Sequence, residues 1–248
     1  FLLSFAVPLA LAGQSPAIKE PLQNLKESIN DILEAKDKKE KPPLENQLNL
    51  LKQTFELSIA EANEITEKIG SLANLDAEAE NFKAEILGQF SDFTKYYGAA
   101  LENIRSMEQG ITEEEIRKLA LEFKKWREET YLPSFEKAKD FILIYQTKNA
   151  LITTENRYNK ISDVLQKLKN ALSKKGRVEG LEGQLKKTGI LIEEGFDLNR
   201  EAEDIFWLST SSPSHLSIQD LVGKSFEKIR SVYQIFIEMS NTVRKLLK

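Results

Sequence analysis

The chain predicts an all-α protein: an elongated antiparallel helical bundle or coiled coil of about five helices, its long helices joined by short turns. Three observations carry that class. Apolar residues recur at intervals of three and four from residue 20 to the end, while the strict alternation of a half-buried strand is absent. Only 41% of the 248 residues are hydrophobic and 30% are charged, with 11 Gly and 7 Pro, a balance suited to long helices with wide solvated faces. And one short turn, Gly110-Ile111-Thr112, separates two helix-period stretches of about sixty residues each.

In chain order, Phe1 to Ala12 reads as the apolar core of a secretory signal. Ala10-Leu11-Ala12 supplies the small-x-small cleavage pattern that would leave Gly13 as the new terminus. The alternative is the remnant of an uncleaved anchor. The sequence starts at Phe1, not methionine, so a preceding piece carrying the positive part of the signal is expected. Residues 13–43 hold a leader and a first helix near 20–37, with Ile18, Leu22, Leu25, Ile29, Ile32 and Leu33 on one face and Pro21 in the first turn. Pro42-Pro43 closes the following loop, because proline cannot continue the helix before it.

From Leu44 to Met107 the apolar positions average about 3.5 residues apart, the heptad value that keeps a seam facing a partner. Gly70-Ser71 and Asn74-Leu75-Asp76 are places where this arm could kink or break. The turn that ends it is specified by its residues. Gly110 sits where the preceding helix needs a left-handed residue. Thr112 and Glu115 form a capping box, flanked by Ile111 and Ile116 at the two positions that clamp the entering chain.

The next segment runs to about Ser173. Pro133 lies inside it and lacks the amide a continuous helix requires, so a kink or restart is expected there. Phe141-Ile142-Leu143-Ile144-Tyr145 is apolar all round and should be buried all round. The stretch from Val178 to about Ser209 is rich in glycine, which means either a weak helix or close backbone approach to a neighbour. A Ser/Pro break at 209–216 follows, with Ser217 and Asp220 as the N-cap and N3 partner of the last helix. That helix has the cleanest heptad: Ile218, Val222, Ser225, Ile229, Val232 and Phe236, continuing to Leu246. Residues 44–108, 112–174 and 178–247 would make three arms of about 95–105 Å if fully helical. Folding back at Gly70, Pro133 and Pro213 would give a shorter bundle of more helices. Arg244-Lys245-Leu246-Leu247-Lys248 carries no helix stop signal, so further chain is expected beyond it.

The composition excludes several chemistries. No cysteine is present, so disulfides, thiolate metal sites, a cysteine nucleophile and a lipobox anchor are ruled out. A net charge of −4 without a sustained basic stripe argues against nucleic acid. The short basic runs at 36–41 and 174–177 fall at expected helix ends, where cations complement the dipole. His215, the single histidine, reads as a solvated turn residue rather than part of a Ser-His relay. The chain lacks the Glu-x-x-His pairs of a di-metal bundle. Neighbouring acids at 76–80, 113–115, 193–194 and 201–204 point in different directions around a helix. No catalytic set, metal site or cofactor is therefore expected.

Three groups remain as contact candidates. Asn149 and Asn156, seven apart and flanking Ile152, are expected on the buried side of the central helix, where asparagine fixes register or lines a groove. Phe82, Phe90, Phe93, Tyr96, Tyr97, Phe123 and Trp126 are expected in the core, with an apolar pocket near the hairpin as the alternative. Phe206 and Trp207 are a candidate partner surface.

The functional expectation is an exported, non-catalytic helical interaction or scaffold protein of a bacterial envelope or exterior, acting on a protein partner or on itself through helix faces. A membrane-active helical protein and a small-ligand binder with an interhelical pocket are the alternatives. No motif in the chain resembles that of a known family.

Overall fold

The computed structural model describes residues 16–106, 110–171, 179–208 and 215–246. They are almost entirely helical: α1 (Pro16–Asp37), α2 (Leu44–Gly70), α3 (Ala77–Ser106), α4 (Glu113–Trp126), a π-turn (Arg127–Tyr131), α5 (Leu132–Ala171), α6 (Glu179–Leu208) and α7 (His215–Leu246). The all-α class is confirmed. The signal, its cleavage pattern, Met107, residues 172–178 with their basic run, and the Ser/Pro break at 209–214 lie outside the described residues.

The chain divides into two compact units, one formed by residues up to 71 with 75–138, the other by 72–74 with 139–248. In the first unit the expected arm 44–108 is not one helix. Asn74 takes the left-handed conformation (φ 57°), and the Asp76 carboxylate accepts the amide N–H of Ala79 at 2.9 Å. The side chain thereby satisfies a donor that helix geometry leaves open at an N-terminus. α2 and α3 fold back on each other, which brings Phe55 to Tyr97 (6.2 Å between ring centroids) and Glu56 to Arg105 (3.6 Å).

α2 is buried on two sides. Leu48, Leu51, Phe55, Ala62, Ile65 and Ile69 follow the expected seam, while Leu50 and Leu57 pack with Ile18, Leu25 and Ile32 of α1. Leu33, expected on that apolar face, and Leu44 are instead exposed. α1 begins at Pro16, so Pro21 lies in its second turn, not the first.

The α3–α4 turn matches its sequence. Gly110 has φ 114°, a backbone conformation that disfavours any side chain. The Thr112 N–H donates to Glu115 Oε2 at 2.7 Å, and the Glu115 N–H donates to Thr112 Oγ1 at 3.3 Å. Ile111 and Ile116 beneath them are buried. The kink or restart expected at Pro133 takes the form of a π-turn between α4 and α5. It precedes the proline, with the Leu132 N–H bonded to Arg127 O. One extra residue in the turn widens the coil where the proline ring would otherwise meet the preceding carbonyl, and the helical path continues into α5.

The second unit is a three-helix bundle. Gly195 of α6 lies against Leu151 of α5 and Ser225 of α7. α5 and α7 run parallel, since Asp140 meets His215 at one end and Arg157 stacks on Tyr233 further along. α6 runs against both, with Glu203 beside Lys148 and Glu182 beside Lys169. The heptad of α7 is buried as expected, from Ile218 through Val222, Ser225, Ile229, Val232 and Phe236 to Met239. That seam is spent inside the unit and is not an exposed pairing surface. Phe141, Ile142, Ile144 and Tyr145 are buried, with Leu143 half-buried. The glycine question resolves by position: an added Cβ would sit 2.8 Å from Leu151 Cδ2 at Gly195 and 3.3 Å from the Tyr158 hydroxyl at Gly189, while Gly180 and Gly183 face open space.

Candidate functional site

Polar groups converge at three interior places. In the first unit, Arg127 of the π-turn donates to Ser58 Oγ at 3.1 Å and to Glu61 Oε2 at 3.0 Å. Its guanidinium also lies 4.8 Å from the centroid of the Tyr131 ring. Burial works against the guanidinium charge, but Glu61 and the two tyrosines outweigh it and raise its pKa. Burial pushes the Tyr97 hydroxyl well above its ordinary range, with Arg127 partly opposing. Tyr131 is raised by burial and then by Glu61.

Around this pair stands the aromatic group. Phe55 and Phe123 meet edge to face at 4.4 Å, Phe93 and Trp126 at 5.5 Å, and Tyr96 stacks on Trp126 at 4.0 Å. Phe82, Phe90, Phe93, Tyr97 and Phe123 are buried. These five form core, as expected, while Tyr96 is exposed and Trp126 half-buried.

In the second unit, Tyr145 donates its hydroxyl proton to Glu203 Oε1 at 2.6 Å, and Lys148 Nζ lies 3.1 and 3.2 Å from the two carboxylate oxygens. Glu201 and Asp204, its neighbours in the acidic run, are exposed. The third place is His215, whose Nδ1 lies against Oδ2 of the buried Asp140. This corrects two expectations. His215 is not a solvated turn residue, because α7 begins at it, and Ser217 lies within the first turn instead of capping it.

The contact candidates divide. Asn149 is half-buried and accepts a hydrogen bond from Asn74 Nδ2 at 2.7 Å, and Asn156 is exposed. The buried line of α5 is Ile144, Thr147, Leu151, Thr154 and Leu165. It is displaced around the helix from both asparagines, so neither fixes a dry seam. Phe206 is buried against Phe141 (5.8 Å) and Trp207 is half-buried, so neither stands out as a free surface. A groove of about 450 Å³ runs between α5 and α6, lined by Glu155, Tyr158, Gly189, Glu193, Phe196 and Arg200.

Sequence reading missed Arg127–Glu61 and Tyr145–Glu203–Lys148. Charged residues on a helix normally face water, and nothing in their spacing marks these as inward. Among the described residues no group of three potential ligands could hold a metal ion, and no helix is long and apolar enough to cross a membrane. No family model matches the chain, nor does any curated protein or solved structure.

Proposed function

We propose that the chain is an exported, non-catalytic interaction protein of a bacterial envelope or exterior, which holds a partner against the outer faces of its second unit. The observation that carries this reading is the contrast between interior and surface. Inside, charges of the two polar clusters have their complements close by: Arg127 with Glu61, and Glu203 with Lys148. Outside, large apolar side chains of α5, α6 and α7 stand exposed in line with charges, among them Val164, Ile190, Phe226 and Ile237. Apolar side chains aligned with charges on a helix face are the composition of a contact surface.

A photo-crosslinking residue placed at Ile237, with one at Ala99 of the first unit as control, tests the reading in the cells that make the protein. Protein adducts at 237 and none at 99 are expected, and the absence of adducts at 237 overturns it. Export predicts that the protein recovered outside the cytoplasm begins at Gly13. An unprocessed cytoplasmic chain overturns that part.

The α5–α6 groove favours a second reading. Tyr158 and Phe196 with the carboxylates of Glu155 and Glu193 suit a small organic cation, the Arg200 charge in the same lining being held by Asp197. The membrane-active alternative has less behind it, since Phe141–Tyr145 and Gly195 are used in packing the second unit.

A further inference from the structure

The exposed residues of the second unit follow helix periods and sort by charge. Along α6, Ile190, Glu193, Asp197, Glu201, Asp204 and Leu208 are spaced three or four apart and all exposed, Ile190 at 49% and Leu208 at 82%. They form one stripe half a turn from the buried positions Thr188, Ile192, Asn199 and Phe206. It is acidic with an apolar residue at each end. The helix as a whole carries eight carboxylates against three cations.

Along α7, Phe226, Arg230, Tyr233, Ile237, Asn241 and Arg244 follow the same spacing, with Phe226 43% and Ile237 55% exposed. That stripe holds no acid. The Arg157 guanidinium on the Tyr233 ring (5.1 Å) ties it to a third stripe on α5, Arg157, Lys160, Val164 and Lys167, in which Val164 is 54% exposed. Because α5 and α7 run parallel, the two basic stripes lie side by side, on the far side of the bundle from the α6 stripe.

The geometry points to a second copy of this chain as the occupant of the α5–α7 face, docked through its α6. This rests on the interaction reading above and names its partner. Complementarity carries it: one face is predominantly basic with apolar residues, Asp163 being the acid beside Lys160 and Lys167, and the other is predominantly acidic with apolar residues, with Lys186 and the Asp197-bound Arg200 as its cations. Their lengths also agree, since residues 193–204 span about 17 Å, residues 157–167 about 15 Å and residues 230–244 about 21 Å. A fourth helix laid there would turn three helices into four and cover Val164, Phe226 and Ile237. Each copy offers both faces on opposite sides, so the contact is heterologous and one two-fold pair cannot satisfy both. Association therefore continues into a filament or closes as a ring.

Charge reversal followed by mixing tests this on the full chain. Lys160→Glu with Arg230→Glu spoils the basic face. Glu201→Lys with Asp204→Lys spoils the acidic one. All four residues are exposed, and circular dichroism checks that each variant keeps its helix content. If a reversed variant unfolds, the glutamine variants of the same positions replace it. Each variant alone should sediment as a monomer of 28.3 kDa. An equimolar mixture should associate again beyond a heterodimer, because the intact acidic face of one variant meets the intact basic face of the other and the two reversed faces also complement each other. Variants that associate as the unaltered chain does, or a mixture that stays monomeric, overturn the inference. Crosslinking at Ile237 separates the two levels: adducts only with a different protein, or with lipid, end the self-docking inference. Adducts with a different protein leave the interaction reading standing.

Discussion

The Ser225 hydroxyl donates a hydrogen bond to the Gly195 carbonyl oxygen at 2.9 Å, in the interior of the second unit. A Cβ added at Gly195 would stand 3.7 Å from that hydroxyl, an ordinary contact, but only 2.8 Å from Leu151 Cδ2. Leu151 is fully buried, so that methyl group has little room to withdraw.

Gly195→Ala and Gly183→Ala should therefore differ in sign. At Gly183 an added methyl meets nothing within 4 Å, and alanine's better helix propensity should stabilise by up to about 1 kcal/mol. At Gly195 the same gain is opposed by overpacking, which typically costs about 1–3 kcal/mol. Urea denaturation of both variants measures the difference; equal stabilisation would remove the close-approach account of Gly195.

Arg127→Met should be strongly destabilising, by about 3–5 kcal/mol, because it leaves the Glu61 carboxylate buried without its cation. Adding Glu61→Leu should recover much of the loss, since two apolar side chains can replace a buried pair. A double-mutant cycle by denaturation reads this directly. Strictly additive losses would show that the pair is not coupled.

Tyr97 and Tyr131 are raised above the ordinary tyrosine value of 10.0 in the fold. The folded protein holds these protons while the unfolded chain releases them. Stability is therefore fully present below pH 10 and is lost as the pH rises above it. Thermal midpoints measured from pH 8 to 11.5 should fall, and fall less in the Tyr97→Phe, Tyr131→Phe variant. Identical profiles for the two proteins would contradict the burial of these hydroxyls.

At the capping box the sign is opposite. Glu115 is lowered by hydrogen bonds from the Thr112 backbone and then from its side chain. Its contribution is present above the ordinary glutamate value of 4.5 and is lost as the pH falls through the lowered one. Thr112→Ala should cost about 1 kcal/mol at pH 7 and bring the Glu115 titration, followed by NMR, back toward the ordinary value. An unmoved titration would deny the box.

Periodicity and local rules account for what was legible. The turn at Gly110–Thr112, the buried heptad of α7 and the burial of Phe141–Tyr145 all depend on residues close in sequence. Pro133 signalled a disturbance correctly, but a missing amide does not say whether a helix stops or widens into a π-turn. Leu50 and Leu57 lie seven apart on a second face of α2. Their role became visible only with α1 packed on them, since a single seam already accounted for that helix. Arg127 and Glu61 are 66 positions apart, and no spacing rule reaches that far. The asparagines of α5 show how little a seven-residue spacing decides by itself: Thr147 and Thr154 share the spacing of Asn149 and Asn156 but lie about half a turn away around the helix, and it is the threonines that are buried.

The central claim, that the second unit carries two faces made for each other, is most directly tested by sedimentation equilibrium of the unaltered chain across concentration and salt. At low salt the average mass should rise with concentration past twice 28.3 kDa, and it should fall back as salt shortens the Debye length toward about 3 Å. A mass of 28.3 kDa at every concentration and salt, or a plateau at twice that value, would contradict the account.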